Sequence, residues 1–238
     1  FGVNAELLID HAWGYEPCTI AQIRAYKPQS SSLGCGQVLH CPYTADKARI
    51  VVQEMIDGIS LELVEKRLVT DQLVLTVGYD IENLTRPEIR KVYKGPVTTD
   101  RYGRRVPKHA HGTWNLSRAT SSSSELLEAM AALYDKIVNP ALLIRRMSLS
   151  ACHVVNEKMA KEREQKETFE QLDLFTDYAK KEAKEKEEQK KRERERRMQE
   201  ALLTIKKKYG KNAVLRGMNF EEGATAKERN GQIGGHQA

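Results

Sequence analysis

Residues 44–68 read TADKARIVVQEMIDGISLELVEKRL, and their apolar spacing decides the fold. Ala48, Val52, Met55, Ile59 and Leu63 step by four, three, four and four, the repeat of one helical face. Thr44 stands where an N-cap belongs. Working outward, a second helix opens at Ser122, whose spacing to Glu125 fits a capping box. Leu126, Met130, Leu133 and Ile137 give that helix a buried stripe, and Asn139 followed by Pro140 ends it. Around these helices lie four stretches with strand character: 33–39, the alternating Leu73, Leu75 and Val77, 112–120 with Trp114 and Leu116, and 142–155. The order is β-α-β-β-α-β, with a long loop over 81–111. This is an α+β pattern, in which a four-stranded sheet carries both helices on one face and leaves the other open.

The open face is where function is expected, and strand parity says what it carries. On the last strand Leu143, Met147, Leu149 and Ala151 suit the helix side, so Arg146, Ser148 and Ser150 fall on the other. The first strand region supplies Ser30, Ser31, Ser32, Gly34 and Gly36, and the third supplies Ser117, Arg118, Thr120 and Ser121. Hydroxyls and backbone N–H groups donate to phosphate oxygens while arginine neutralises them, so this is a phosphate-contact set. No exposed aromatic pair is present to stack bases. The loop adds charge. From Arg86 to Arg118 there are nine Lys and Arg against Glu88 and Asp100, whereas the whole chain of 238 residues carries only +6. Charge concentrated in one segment points to a polyanion. The candidate contacts are Ser31, Ser32, Gly34, Arg101, Arg104, Arg105, Lys108, Arg118, Thr120, Arg145, Arg146 and Ser148.

Composition narrows the remaining choices. No apolar run approaches the roughly 18 residues of a membrane span, and no basic head precedes an apolar stretch as in a signal peptide, so a cytoplasmic protein with no membrane partner is expected. Cys18, Cys35, Cys41 and Cys152 form no C-x-x-C pair, which argues against a disulfide framework and a zinc ribbon. His40 with Cys41, or His109 with His111, fit zinc spacing poorly. Beyond residue 156 the character changes: 179–209 holds 13 Lys and Arg against seven Glu, and 217–238 is polar and glycine-rich. These read as a charged, solvated helix and a flexible tail.

The ends of the chain carry a resemblance. Residues 1–17, FGVNAELLIDHAWGYEP, resemble the end of the thumb domain of Y-family translesion DNA polymerases, in the UmuC-like branch of Gram-positive bacteria. The β-α-β-β-α-β unit is similar to their little finger, with Ile144-Arg145-Arg146-Met147-Ser148 like the arginine pair laid against DNA. Lys207-Lys208-Tyr209-Gly210-Lys211-Asn212, Gly217-Met218-Asn219 and Gly223-Ala224-Thr225 resemble the end of the same branch. Gln171-Leu172-Asp173-Leu174-Phe175 is similar to the bacterial sliding-clamp peptide; Leu172 and Leu174 cannot share a helical face, whereas an extended peptide uses alternate side chains as anchors.

The resemblance implies a thumb end over 1–17, a linker over 18–28, a little finger over 29–156, a linker bearing the clamp peptide over 157–178, the charged helix over 179–209 and the tail over 210–238. It implies binding of primer-template DNA without sequence preference and of the sliding clamp. The two Mg²⁺ of such polymerases are held by palm carboxylates that would precede Phe1, so no catalytic residue, metal or other cofactor is expected within these residues, and neither Asp10 nor Asp80 is a catalytic candidate. The alternative from another class is a free-standing nucleic-acid-binding adaptor with a basic helical arm.

Overall fold

The computed structural model describes residues 2, 4–26, 31–100, 102–167, 178–233 and 236–237. Ser30, Arg101 and the pentapeptide Gln171, Leu172, Asp173, Leu174 and Phe175 lie outside the described residues. The chain divides into two compact units, 1–31 and 32–238.

The first unit has two short helices, α1 (Asn4–Ala12) and α2 (Ile20–Ala25). The second falls where the sequence suggested a linker. It forms because Thr19 and Gln22 make a full capping box: the Thr19 hydroxyl accepts from Gln22 N at 3.3 Å, and Gln22 Oε1 accepts from Thr19 N at 2.8 Å.

The second unit runs β1 (Leu33–Tyr43), α3 (Ala45–Lys66), β2 (Leu68–Tyr79), α4 (Glu82–Thr85), α5 (Pro87–Val92), β3 (Val97–Thr99), β4 (Arg105–Pro107), β5 (Ala110–Thr120), α6 (Ser123–Ile137), β6 (Ile144–Cys152), β7 (Val155–Asn156), α7 (Glu157–Glu167) and α8 (Tyr178–Tyr209). A 3₁₀ turn (Gly217–Phe220), α9 (Ala226–Arg229) and the pair β8 (Gln232–Ile233) and β9 (His236–Gln237) follow. The main sheet has the order β1-β6-β2-β5 with every pairing antiparallel. β1 and β2 therefore run the same way with β6 between them, and β5 and β6 run the same way with β2 between them. Two split β-α-β units interleave, and α3 and α6 are their crossovers, packed on each other.

The core lies between sheet and helices. Leu73, Leu75 and Val77 of β2 and Met147, Leu149 and Ala151 of β6 meet Val52, Met55, Ile56, Ile59 and Leu63 of α3 and Leu126, Met130 and Leu133 of α6, all buried. Each fully buried Leu, Ile or Met contributes roughly 1.5–3 kcal/mol by leaving water. α3 stops at Arg67, which takes the left-handed conformation at φ 53°. Thr44 is the N-cap but makes no side-chain cap bond. Ser122 does, accepting from Glu125 N at 3.2 Å.

Three segments depart from the sequence reading. The stretch 81–111 is not a loop: it holds α4, α5 and the β3–β4 hairpin, and its base is pinned by the fully buried Asn83. Asn83 Nδ2 donates to the carbonyls of Asp80 and Leu143, both at 2.8 Å, while its Oδ1 accepts from Leu143 N at 2.7 Å. The charged helix is not merely solvated. On α8, Glu195 accepts from Ser122 Oγ, Ser124 N and Ser124 Oγ at the start of α6, and buried Gln199 donates to Ser121 O and Ser123 Oγ. Nor is the tail loose. Glu54 of α3, 4% exposed, accepts from Asn219 Nδ2, Thr225 N, Thr225 Oγ1 and Ala226 N, strapping the segment from 216 to 229 onto the domain. A buried carboxylate is tolerable only with such a complement of donors.

Candidate nucleic-acid interface

The uncovered face of the sheet can be read row by row from the strand registers. One row crosses Cys152, Gln72 and Asn115; the next Gly34, Ser150, Val74 and Thr113; the third Gly36, Ser148, Thr76 and His111; the last Val38, Arg146 and Gly78. Across these strands the residues are hydroxylic, thiol, amide, glycine, histidine or small apolar, with a single arginine and no carboxylate. Gly34, Gly36, Val38, His111, Thr113, Asn115, Arg146 and Ser148 are exposed. Two cross-strand bonds order the polar groups: Gln72 Nε2 donates to Asn115 Oδ1 at 2.9 Å, and Thr76 Oγ1 meets His111 Nδ1 at 2.9 Å.

Arg146 lies flat across the sheet because Gly78 lets it. A Cβ at Gly78 would sit 2.6 Å from Arg146 Cγ and 2.7 Å from its Nε, far inside contact distance. The neighbouring Arg145 is the extra residue of a bulge, since Gly78 faces Arg146 while Tyr79 already faces Ile144. Arg145, next to open-face Arg146, lies off the face. There its Nη1 donates to His40 O at 3.0 Å and its Nε lies 3.8 Å from Asp80 Oδ2.

The structure sorts the other residues singled out from sequence. Gly34 and Ser148 sit on the open face as parity requires. Arg118 and Thr120 do not. Alternation along β5 puts Arg118 and Thr120 on the helix side with Trp114 and Leu116, where Arg118 is ion-paired with Glu125 of α6 and Thr120 is buried at 5% exposure. Arg104 is engaged within its own turn: its Nη2 lies 2.7 Å from Asp100 Oδ2, and that bond holds the Asp100 carboxyl below its ordinary range. Arg86 likewise pairs with Glu82. The concentrated charge of 86–118 is thus partly spent internally. Arg105 and Lys108 are exposed and make no ion pair among the described residues, and they sit in the insert joining Tyr79 to Ala110, at the Gly78–Arg146 end of the sheet. Ser32 is exposed immediately ahead of β1, while Ser31 belongs to the first unit. The face residues Gln72, Thr76, Gly78, His111 and Asn115 were missed from sequence; the alternation around Leu73, Leu75 and Val77 held the signal for those on β2.

Charge separates between the two sides of this layer. α3 and α6 bear Asp46, Glu54, Asp57, Glu62, Glu65, Glu125, Glu128 and Asp135 against Lys47, Arg49, Lys66 and Lys136. These two helices are acidic on balance, although the basic α8 packs against α3 with Lys207 paired to Glu65, whereas the open face has only Arg146 and neutral groups. Among the described residues no three His, Cys, Asp or Glu side chains converge to hold a metal ion, and no helix is long and apolar enough to cross a membrane.

No family model and no curated protein matches the chain. Among solved structures it is similar to one described as a complex of beta-clamp processivity factor and little finger domain of PolIV. The match has a TM-score of 0.32 and 8% sequence identity, and covers 61% of this chain and 100% of that chain.

Proposed function

We propose that this chain is the DNA-gripping and clamp-binding part of a translesion DNA polymerase, with the open sheet face laid on the phosphate backbones of a primer-template duplex. The observation that carries the reading is the carboxylate-free face on which Arg146 lies flat over Gly78. Hydroxyls and amides of that face donate to phosphate oxygens, and Arg146, with Arg145, Arg105 and Lys108 at its rim, neutralises them. Phosphate contacts carry no sequence information, so grip of this kind suits an enzyme that must pass any template. The sequence resemblance at both ends of the chain supports the polymerase assignment, and Gln171–Phe175 is the segment through which the sliding clamp is engaged.

The test is fluorescence anisotropy with primer-template duplexes of unrelated sequence across a salt series. Binding should be sequence-indifferent and fall steeply with salt. Changing Arg145 and Arg146 together to Ala should weaken every duplex alike and lower the salt slope by about one to two. Strong preference for one sequence, or affinity independent of salt, contradicts the proposal.

A further inference from the structure

A second cationic recess lies away from the open face. The end of β5 and the turn into α6, together with α7 and α8, line a partly open cavity of about 480 Å³ that none of the open-face residues lines. Gln189, Arg192, Arg196 and Gln199 of α8 recur at three, four and three residues, so one helical face looks into it. Lys161 of α7 and Arg118, Thr120 and Ser121 at the end of β5 complete the donors.

Most of the charges in this recess are already matched. Arg118 pairs with Glu125, Lys161 with Glu157, and Arg196 with Glu157 and Glu200, while Glu195 is held by Ser122 and Ser124. Among the charges lining the recess, Arg192, Glu193 and Arg197 have no ion-pair partner among the described residues; Arg192 is half-buried, whereas Glu193 and Arg197 are exposed to solvent. Two hydroxyls are open as donors. Thr120 Oγ1, 5% exposed, only accepts, from Ser122 N, and Ser121 Oγ, 9% exposed, only accepts, from Arg196 Nη1. Their protons have no acceptor among the described residues. A half-buried guanidinium without a counter-charge and two buried hydroxyls without acceptors are each costly, and one anion relieves all three.

We propose that this recess is a binding site for a phosphoryl group, held by the Arg192 guanidinium and the Thr120 and Ser121 hydroxyls. The forked donors of arginine match two phosphoryl oxygens, and the hydroxyls supply the third direction. The group comes either from a small free polyphosphate or from the terminal phosphate of a nucleic-acid strand. The site is separate from the open face, so its failure leaves the reading of that face standing.

Isothermal titration of the full chain decides the question with three probes: inorganic tripolyphosphate, a 5′-phosphorylated single strand, and the same strand with a 5′-hydroxyl. A free-ligand site binds tripolyphosphate; a strand-end site binds the phosphorylated strand more tightly than its hydroxyl counterpart. In either case Arg192→Gln weakens the phosphoryl-dependent binding by about tenfold or more. Thr120→Val, which keeps the shape and removes the hydroxyl, weakens it in the same direction and carries the test if Arg192→Gln does not fold. Absence of binding by tripolyphosphate together with equal binding of the two strands overturns the site, as does phosphoryl-dependent binding unchanged by both substitutions.

Discussion

Replacing Glu54 by Gln should release the C-terminal strap without unfolding the domain. Glu54 Oε2 takes Thr225 N at 2.8 Å, Ala226 N at 3.0 Å and Thr225 Oγ1 at 3.2 Å, and Oε1 takes Asn219 Nδ2 at 2.8 Å. Glutamine has one acceptor oxygen. If that oxygen serves the backbone amides, its NH₂ confronts Asn219 Nδ2, and Asn219 cannot flip because its Oδ1 accepts from Arg216 N at 2.7 Å. One bond becomes a donor facing a donor, and the others lose their charge assistance. Together these cost about 2–3 kcal/mol. The remaining ties of the strap include the surface pair Lys47–Glu222, worth at most about 1 kcal/mol, and the part-buried pair Arg216–Asp57. Opening of the strap should thus become about 30- to 150-fold more frequent. Hydrogen exchange of the Thr225 and Ala226 amides measures this directly, with Leu73 and Leu149 amides as core references. Unchanged exchange at 225 and 226 in Glu54→Gln refutes the account of the strap; equal acceleration in the core shows instead that strap and domain open as one unit.

Further outcomes follow from the same geometry. Gly78→Val should displace Arg146 from the sheet and weaken duplex binding to the level of Arg146→Ala, while thermal unfolding moves little because Val suits a strand; wild-type affinity in Gly78→Val shows that Arg146 does not need its flat pose. Changing Leu174 and Phe175 to Ala should abolish sliding-clamp binding in calorimetry and leave duplex affinity unchanged, and a loss of both would show that the pentapeptide is not an independent element. Burial raises the pKa of Glu157, but the Lys161 hydrogen bond and the charges of Arg196, Lys161 and Arg67 outweigh it and hold the carboxyl below 4.5. A lowered folded-state pKa means stabilisation that is present above 4.5 and lost as pH falls through the folded value. Acid should therefore loosen the α7–α8 junction, seen as faster exchange of α7 amides, and Glu157→Gln should remove that pH dependence.

How much was legible in sequence depends on where each signal resides. The two helices and four strands are written as local periods, Met55–Ile59–Leu63 and Leu126–Met130–Leu133 above all, and burial follows those periods closely. The side of the sheet occupied by Arg146 and Ser148 is written in the alternation with Met147 and Leu149. A bulge interrupts such a signal at one place. The bulge at Arg145 lets Ile144 join the core although it shares parity with open-face Arg146, and it leaves no mark in composition, whereas Arg118 and Thr120 share the parity of Trp114 and Leu116, so alternation already pointed them to the helix side. The strap was hidden for another reason. Its glycines and polar residues look unstructured because their partner, Glu54, lies 162 or more positions away along the chain, counted from Arg216, and reads within α3 as one more surface charge. The inserted hairpin was masked in the same way, since Asn83 shows its role only once Leu143 stands beside it.

The central claim is that the open face, not the helix side, meets DNA. Two charge reversals of equal size separate these alternatives: Arg146→Glu on the open face and Lys136→Glu in the exposed last turn of α6. Both lower the net charge by two, so any effect of overall charge is common to them. Anisotropy titration of one primer-template duplex at fixed salt should show Arg146→Glu weakened by about tenfold or more and Lys136→Glu within about twofold of wild type. Equal weakening by both, or a larger loss in Lys136→Glu, contradicts the assignment of the open face.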